Sequence, residues 1–324
     1  MARPPKGEKA MTNAERQRLW RERQIANQNN EADSDDTAPS SSTALVSHLN
    51  ARRKTSIEWT QETINPFVGC TRVSEGCRNC YAEIMAARQC AMGTQSYIGT
   101  INNRKWTGVI NKSSETTFHK PLEQNKPTVY FVNSMSDFWH ENAKDEWRNE
   151  FIDVIKKTPH HIYQILTKRP ENIITMMDRI GLHSFPDNVW IGATVEDHRV
   201  AHRIDNLRSV PARIRFLSVE PMTAPLGNVN LTGIHWVITG GEAGPGARPC
   251  KVEWIREVRD QCERQGVPFF HKQWGTPESN PLAVAYPGKE VSRMKLADFI
   301  KNIDPHAKGG AFLDGRLWRD MPKG

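Results

Sequence analysis

The chain has 324 residues, of which 37% are hydrophobic and 8% aromatic, and it carries a formal net charge of +7. No apolar run reaches the ~18 residues a membrane helix needs, and the opening MARPPKGEKA lacks the apolar stretch of a secretory signal. The composition therefore excludes a helical membrane span and predicts a cytoplasmic protein, whose basic excess is compatible with a polyanionic partner such as nucleic acid.

Residues 1–55 read as a basic, largely disordered arm. Asn13–Asn30 is polar nearly all round, with Leu19, Trp20 and Ile25 as its only large apolar side chains, too few for a docking stripe. The following EADSDDTAPSSSTA is small, polar and acidic, as in unstructured chain. Either this segment is a passive tail, or it is an arm that touches phosphate and folds on contact.

From Ile57 the texture changes. Six short runs, TVYFVN (128–133), HIYQILT (161–167), VWIGATV (189–195), IRFLSVE (214–220), IHWVITG (234–240) and VPFFHKQ (267–273), are apolar on both faces and rich in β-branched or aromatic residues. Strands of a parallel sheet covered by helices read this way. Helical patterns at Lys144–Lys157, Pro170–Ile180, His198–Arg208 and Val252–Gln265 alternate with them, which predicts successive β–α units. The connection TAPLGNVNLTG is too short for a full helix, so that crossover is expected to be irregular. The expected fold is an α/β, partial TIM-like barrel over residues 56–275. Residues 93–127, rich in Asn, Thr and Lys, are expected to form an insertion or lid, and 276–324 a C-terminal extension.

The strongest chemical signal is GCTRVSEGCRNCYAE, residues 69–83, in which Cys70, Cys77 and Cys80 are spaced Cys-x6-Cys-x2-Cys. In a cytosolic chain such clustering points to metal rather than to disulfides. Three thiolates from one loop can hold a [4Fe–4S] cluster and leave one iron free of protein ligand, the open position that catalysis needs. In radical S-adenosylmethionine (SAM) chemistry that iron takes SAM. Structural zinc is the competing reading; His119 or His140 would have to supply the fourth ligand, though neither stands in a paired motif. The remaining thiols, Cys90, Cys250 and Cys262, fit no ligand spacing, and Cys262 lies in a helical pattern as a small core residue would.

Active-site groups of a barrel sit at the C-terminal ends of its strands. Every predicted strand ends in charged or hydroxyl residues: Ser134, Ser136 and Asp137, then Lys168 and Arg169, then Glu196, Glu220, Glu242 and Lys272. By position, Ser134, Ser136 and Asp137 are candidates for the SAM ammonium, Lys168 or Arg169 for its carboxylate and Glu196 for its ribose hydroxyls. Glu220, Glu242 and Lys272 are the substrate-binding candidates. Trp59, Phe138, Trp139 and Trp274 read as packing, or as stacking faces at a pocket rim.

The motifs GCTRVSEGCRNCYAE, NSMSDFWHE, LTKRPE, LSVEPM, GGEAGPGARP and FFHKQWG, in order from Ile57 to Gly275, together resemble a family of phage-encoded radical SAM proteins long known only as phage proteins of unknown function. The cysteine spacing departs from the commonest radical SAM pattern, Cys-x3-Cys-x2-Cys, by three extra residues. Some members are similar to the thymidine hypermodification isomerases of phages. The resemblance implies a [4Fe–4S] cluster, SAM, a thymine base of phage DNA as substrate, and the host cell cytoplasm as location. It implies an isomerase that moves glycine, carried on the 5-methylene of thymine, from attachment through nitrogen to attachment through its α-carbon, a modification that evades host restriction. The implied electron donor is a flavodoxin or ferredoxin. Two other classes stay open: a radical SAM enzyme acting on a thymine lesion, RNA or a peptide, and a non-catalytic nucleic-acid-binding protein with a structural metal.

Overall fold

Runs that are apolar on both faces need cover on both faces, and the chain provides it by curling one parallel sheet between an outer helical layer and its own inner face. The structure is a computed structural model and describes residues 53–286, 293–306 and 308–323. Nearly all of the expected N-terminal arm lies outside the described residues. The sheet has seven strands in chain order: β1 (Glu62–Ile64), β2 (Val129–Val132), β3 (Ile162–Thr167), β4 (Val189–Thr194), β5 (Ile214–Val219), β6 (Trp236–Gly240) and β7 (Phe269–Gln273), each parallel to its neighbour. All six residues of β4 are buried, as the unbroken run VWIGAT predicts.

Two helices lie between β1 and β2, α1 (Tyr81–Ala91) and α2 (Glu115–Glu123). The next crossovers carry α3 (Asp145–Lys157), α4 (Ile173–Arg179) and α5 (Arg203–Arg208), and α6 (Val252–Gln265) joins β6 to β7. No helix joins β5 to β6, the crossover expected to be irregular. A last helix, α7 (Arg293–Ile303), lies in the C-terminal segment. Each long helix buries one stripe against the sheet: Phe151, Ile152, Val154 and Ile155 from α3, and Ile255, Val258 and Cys262 from α6. No helix among the described residues is long and apolar enough to cross a membrane.

The curl is shown by Trp59, just before β1. Its ring meets Phe131 of β2 at 4.8 Å, Phe216 of β5 at 6.3 Å and Trp236 of β6 at 6.3 Å. In a flat sheet β1 and β6 would stand about 24 Å apart, five strand spacings. The sheet is therefore a half-barrel, and Trp59 fills its interior with Trp190, Phe216, Trp236 and Phe270. Gly192 is required in β4 because a Cβ there would lie 2.4 Å from the Phe216 ring.

The C-terminal segment covers the open edge of β7. The Phe269 carbonyl accepts from Asp320 N–H at 3.2 Å, His271 N–H donates to the Trp318 carbonyl at 3.0 Å, and Phe270 bridges antiparallel to Arg319. Arg319 in turn pairs with Glu58 beside β1. An exposed parallel edge is a template for foreign strands, and this cover removes it.

Candidate metal centre

Residues 69–80 leave β1 and cross the C-terminal ends of the strands. The loop begins where Gly69 N–H donates to the Met135 carbonyl at 3.1 Å, makes a tight turn over Glu75–Cys77 and ends at Cys80, the residue that starts α1. Cys70, Cys77 and Cys80 are all free thiols; Cys77 is buried and the other two are half-buried. They stand close enough for Cys77 and Cys80 to raise the pKa of Cys70. Burial pushes that thiol up to about 12, with Asp137 adding to the rise and Arg169 opposing it.

Four strand-end charges hold the loop, each through a second buried or half-buried partner. Arg169, after β3, donates through Nη1 to Asp137 Oδ2 at 3.3 Å and to Cys70 Sγ at 3.9 Å, through Nε to Glu141 at 3.0 Å, and through Nη2 to the carbonyl and hydroxyl of Thr71. Asp137, after β2, also accepts from the Thr167 hydroxyl at 2.7 Å and from Trp139 and Lys168 N–H at 3.0 Å. Its two oxygens thus join the ends of β2 and β3. Glu196, after β4, accepts from Gly76 N–H at 3.1 Å and from Arg203 of α5 at 2.9 Å. Glu242, after β6, accepts from Asn79 at 3.0 Å and from Arg248 through both oxygens. Burial works against the Glu242 carboxylate, yet Arg248 and Asn79 hold it below the ordinary range. Arg248 also donates to the Glu75 carbonyl at 3.0 Å, which clasps the Gly-rich loop after β6 to the cysteine loop.

Lys168 is different. Its ammonium makes no hydrogen bond or ion pair among the described residues. Burial acts to lower its pKa, but Cys77, Glu196 and Cys80 outweigh that and leave it raised. Ser74 Oγ, within the cysteine loop, is buried without a partner, as are Asn133 Oδ1 at the end of β2 and Gln273 Oε1 at the end of β7. Orphaned groups like these are costly unless something else satisfies them.

Ser136 Oγ donates to the Phe67 carbonyl at 2.8 Å and Ser134 Oγ to Asn65 Oδ1 at 3.2 Å, while the Ser134 carbonyl accepts from the Tyr81 hydroxyl at 3.0 Å. Across the mouth, Lys272 Nζ donates to both oxygens of Glu220 at 2.7 and 2.9 Å, and Gln273 adds a third bond at 3.1 Å. Trp59, Phe138, Trp139 and Trp274 are all buried.

Three soft sulfur donors on one loop, an unpaired cation beside them and an unpaired loop hydroxyl fit an anionic iron–sulfur cluster with a small charged ligand. Neither histidine offers a free fourth ligand. His119 lies between Glu115 and Glu150, and the His140 ring bonds Asn142 N–H and the Thr71 hydroxyl, both at 3.0 Å. Asn79, Arg203 and Arg248 were missed in the sequence. Asn79 stands between two of the cysteines and Arg248 ends a Gly-rich loop, so their positions were visible, but Arg203 has no local signal.

Fold and mouth together define an α/β half-barrel protein with a three-thiol centre on the loop after its first strand. Residues 54–322 match the model of a family described as protein of unknown function, DUF5131, and the chain belongs to that family. No curated protein matches the chain. Among solved structures it is similar to spore photoproduct lyase complexed with dinucleoside spore photoproduct, with 13% identity, 68% of this chain and 77% of that chain covered, and a TM-score of 0.40. It is also similar to a cysteine-to-alanine variant of that lyase, with 13% identity, coverage of 68% and 80%, and a TM-score of 0.41. A tyrosine-to-phenylalanine variant gives 12% identity, coverage of 68% and 77%, and a TM-score of 0.39.

Proposed function

We propose that this protein is a radical SAM enzyme that modifies thymine bases of phage DNA, isomerising a glycine carried on the thymine 5-methylene from its nitrogen-linked to its α-carbon-linked form. The observation that carries the reading is the set of Cys70, Cys77 and Cys80 on one loop over the mouth, with the unpaired Lys168 ammonium in their field. A [4Fe–4S] cluster with SAM supplies, when bound, a carbon radical able to take hydrogen from an unreactive C–H bond.

This chain's own residues bind and orient. Lys168 takes a carboxylate, the anionic group for which it has no protein partner. Arg169 fixes Cys70 and, through Asp137, the strand ends around it, while Glu196 and Glu242 fix Gly76 and Asn79 on the far side of the loop. Ser134 and Ser136 place hydroxyl and carbonyl groups for the SAM ammonium. Lys272, with Glu220 and Gln273, forms the polar wall that meets the substrate's own carboxylate and amine. The half-barrel excludes water below this layer with Trp59, Trp190 and Trp236. The basic net charge of +7 suits a DNA substrate.

The test is purification without oxygen, followed by reaction with thymidine carrying N-linked, α-deuterated glycine. The expected protein is brown and holds about four irons per chain. Deuterium should enter 5′-deoxyadenosine or return to a product of unchanged composition that has gained a primary amine. A colourless zinc protein would overturn the reading. An iron protein that cleaves SAM without ever drawing label from this substrate would overturn the isomerase alone.

A further inference from the structure

Helix α1 is turned inside out. Its buried face consists of Ala82, Glu83 and Ala86, whereas Ile84, Met85 and, just past its end, Met92 are 51%, 40% and 76% exposed. At about 100° per residue these three side chains and exposed Arg88 fall within a single arc of roughly 100°. A solvated helix face normally carries charge, and a contiguous apolar stripe on the surface marks a contact surface. Val73, in the cysteine loop itself, is also exposed, at 44%.

The charge around the stripe is one-sided. Arg78 is exposed and makes no ion pair among the described residues, and Arg88 reaches only the sulfur of Met85, at 4.0 Å. The neighbouring carboxylates are already matched, Glu83 by Arg72 and Lys105 and Glu75 by Arg248. Met and Arg are among the residue types enriched at protein–protein contacts. A phosphate backbone would gain nothing from Ile84, Met85 and Met92.

The position of the stripe suggests its use. It runs along the helix that the half-buried Cys80 caps, and Ile84 and Met85 lie only about 6–8 Å along the helix axis from the Cys80 backbone. We infer that the exposed face of α1 is the docking surface of an acidic electron-transfer protein, one bearing a flavin or an iron–sulfur centre. The inference rests on the reading of the three thiols as an iron–sulfur site. In the docked complex one electron leaves the partner's centre, which is oxidised, and enters the centre beside Cys80, which is reduced; no atom is transferred.

The experiment follows cluster reduction by stopped flow in wild type, Ile84→Asp, Met85→Asp and Arg88→Glu, using photoreduced flavodoxin, reduced ferredoxin, or dithionite. The expected result is a fall of about tenfold or more in donor-driven reduction for Ile84→Asp and Arg88→Glu, with the dithionite rate and iron content unchanged. Arg88→Glu should also flatten the salt dependence of the protein-driven rate. Unchanged donor rates in all three variants would overturn the inference, as would a wild type that dithionite reduces but neither donor does. Loss of DNA binding or of self-association, with donor rates intact, would assign the face to another occupant and overturn it too. If wild type binds no iron, the reading of the centre fails and takes this inference with it; a normal cluster with indifferent variants sinks the docking surface alone.

Discussion

Gly76 gives its backbone N–H to Glu196 Oε1 at 3.1 Å, and any side chain at position 76 would have to push that carboxylate aside. A Cβ at position 76 would lie 2.9 Å from that oxygen and 3.0 Å from the carboxyl carbon. The turn between two cysteines is thereby pinned to the end of β4, and Glu196 is pinned in turn by the buried Arg203.

Gly76→Ala should therefore disturb the loop before it disturbs the barrel. We expect iron retention after desalting to fall several-fold while the urea midpoint moves little. Glu196→Ala should act on both, because it leaves the Arg203 guanidinium buried without its charge partner, a loss of ~3–5 kcal/mol. Equal stability of Glu196→Ala and wild type in urea would refute the coupling.

Replacing Cys70, Cys77 or Cys80 by Ala should abolish iron binding and visible absorption, since each supplies a fixed ligand. Cys262 is fully buried in the outer core on α6. Cys262→Ala should keep its iron and lose only ~1 kcal/mol of stability by leaving a small cavity. Iron analysis of the four variants side by side decides the assignment.

Lys168→Met should leave the iron content intact and weaken SAM binding by roughly 10–100-fold, the worth of one charge-assisted hydrogen bond. Equilibrium dialysis with labelled SAM reads this directly; unchanged affinity would remove Lys168 from the cofactor site.

Asp197, the residue after Glu196, makes stability depend on pH. Its bonds from Arg199 hold its pKa down, burial opposes them, and the Thr223 hydroxyl adds to the lowering, leaving it at about 2. Because the folded value lies below the unfolded value of ~3.9, the ionised form favours the fold. That stability is fully present above about pH 4 and disappears as pH falls through 2. The contribution is on the order of 1–2 kcal/mol, since Arg199 is half in solvent. Denaturation of wild type and Asp197→Asn should differ by this amount at pH 6 and converge near pH 2.

Trp59 joins strands that are five places apart, so Trp59→Ala should cost ~3–5 kcal/mol, more than an edge residue would. A midpoint close to that of wild type in urea would mean that the half-barrel does not depend on this plug.

Much of this protein is determined by local sequence. The six apolar runs become strands because a chain buried on both faces has no polar positions to alternate, and the cysteines are legible because all three ligands come from one loop. The strand-end charges could be found by position, since strand direction alone puts Asp137, Lys168, Glu196, Glu220 and Glu242 at one end. Strand β1 could not, because Glu62–Ile64 is three residues long and becomes a strand only by pairing with Tyr130–Val132. The cover of β7 by residues 318–320 was equally hidden in a Pro-, Gly- and Lys-rich tail. The partners of the charges were decided by tertiary structure alone. Glu196 meets Gly76 across 120 positions, Glu242 meets Asn79 across 163, and Glu220 meets Lys272 across 52. Such contacts depend on how far the sheet curls, and that is set by how Trp59, Phe216 and Trp236 pack inside it, a property that no local segment of the sequence carries.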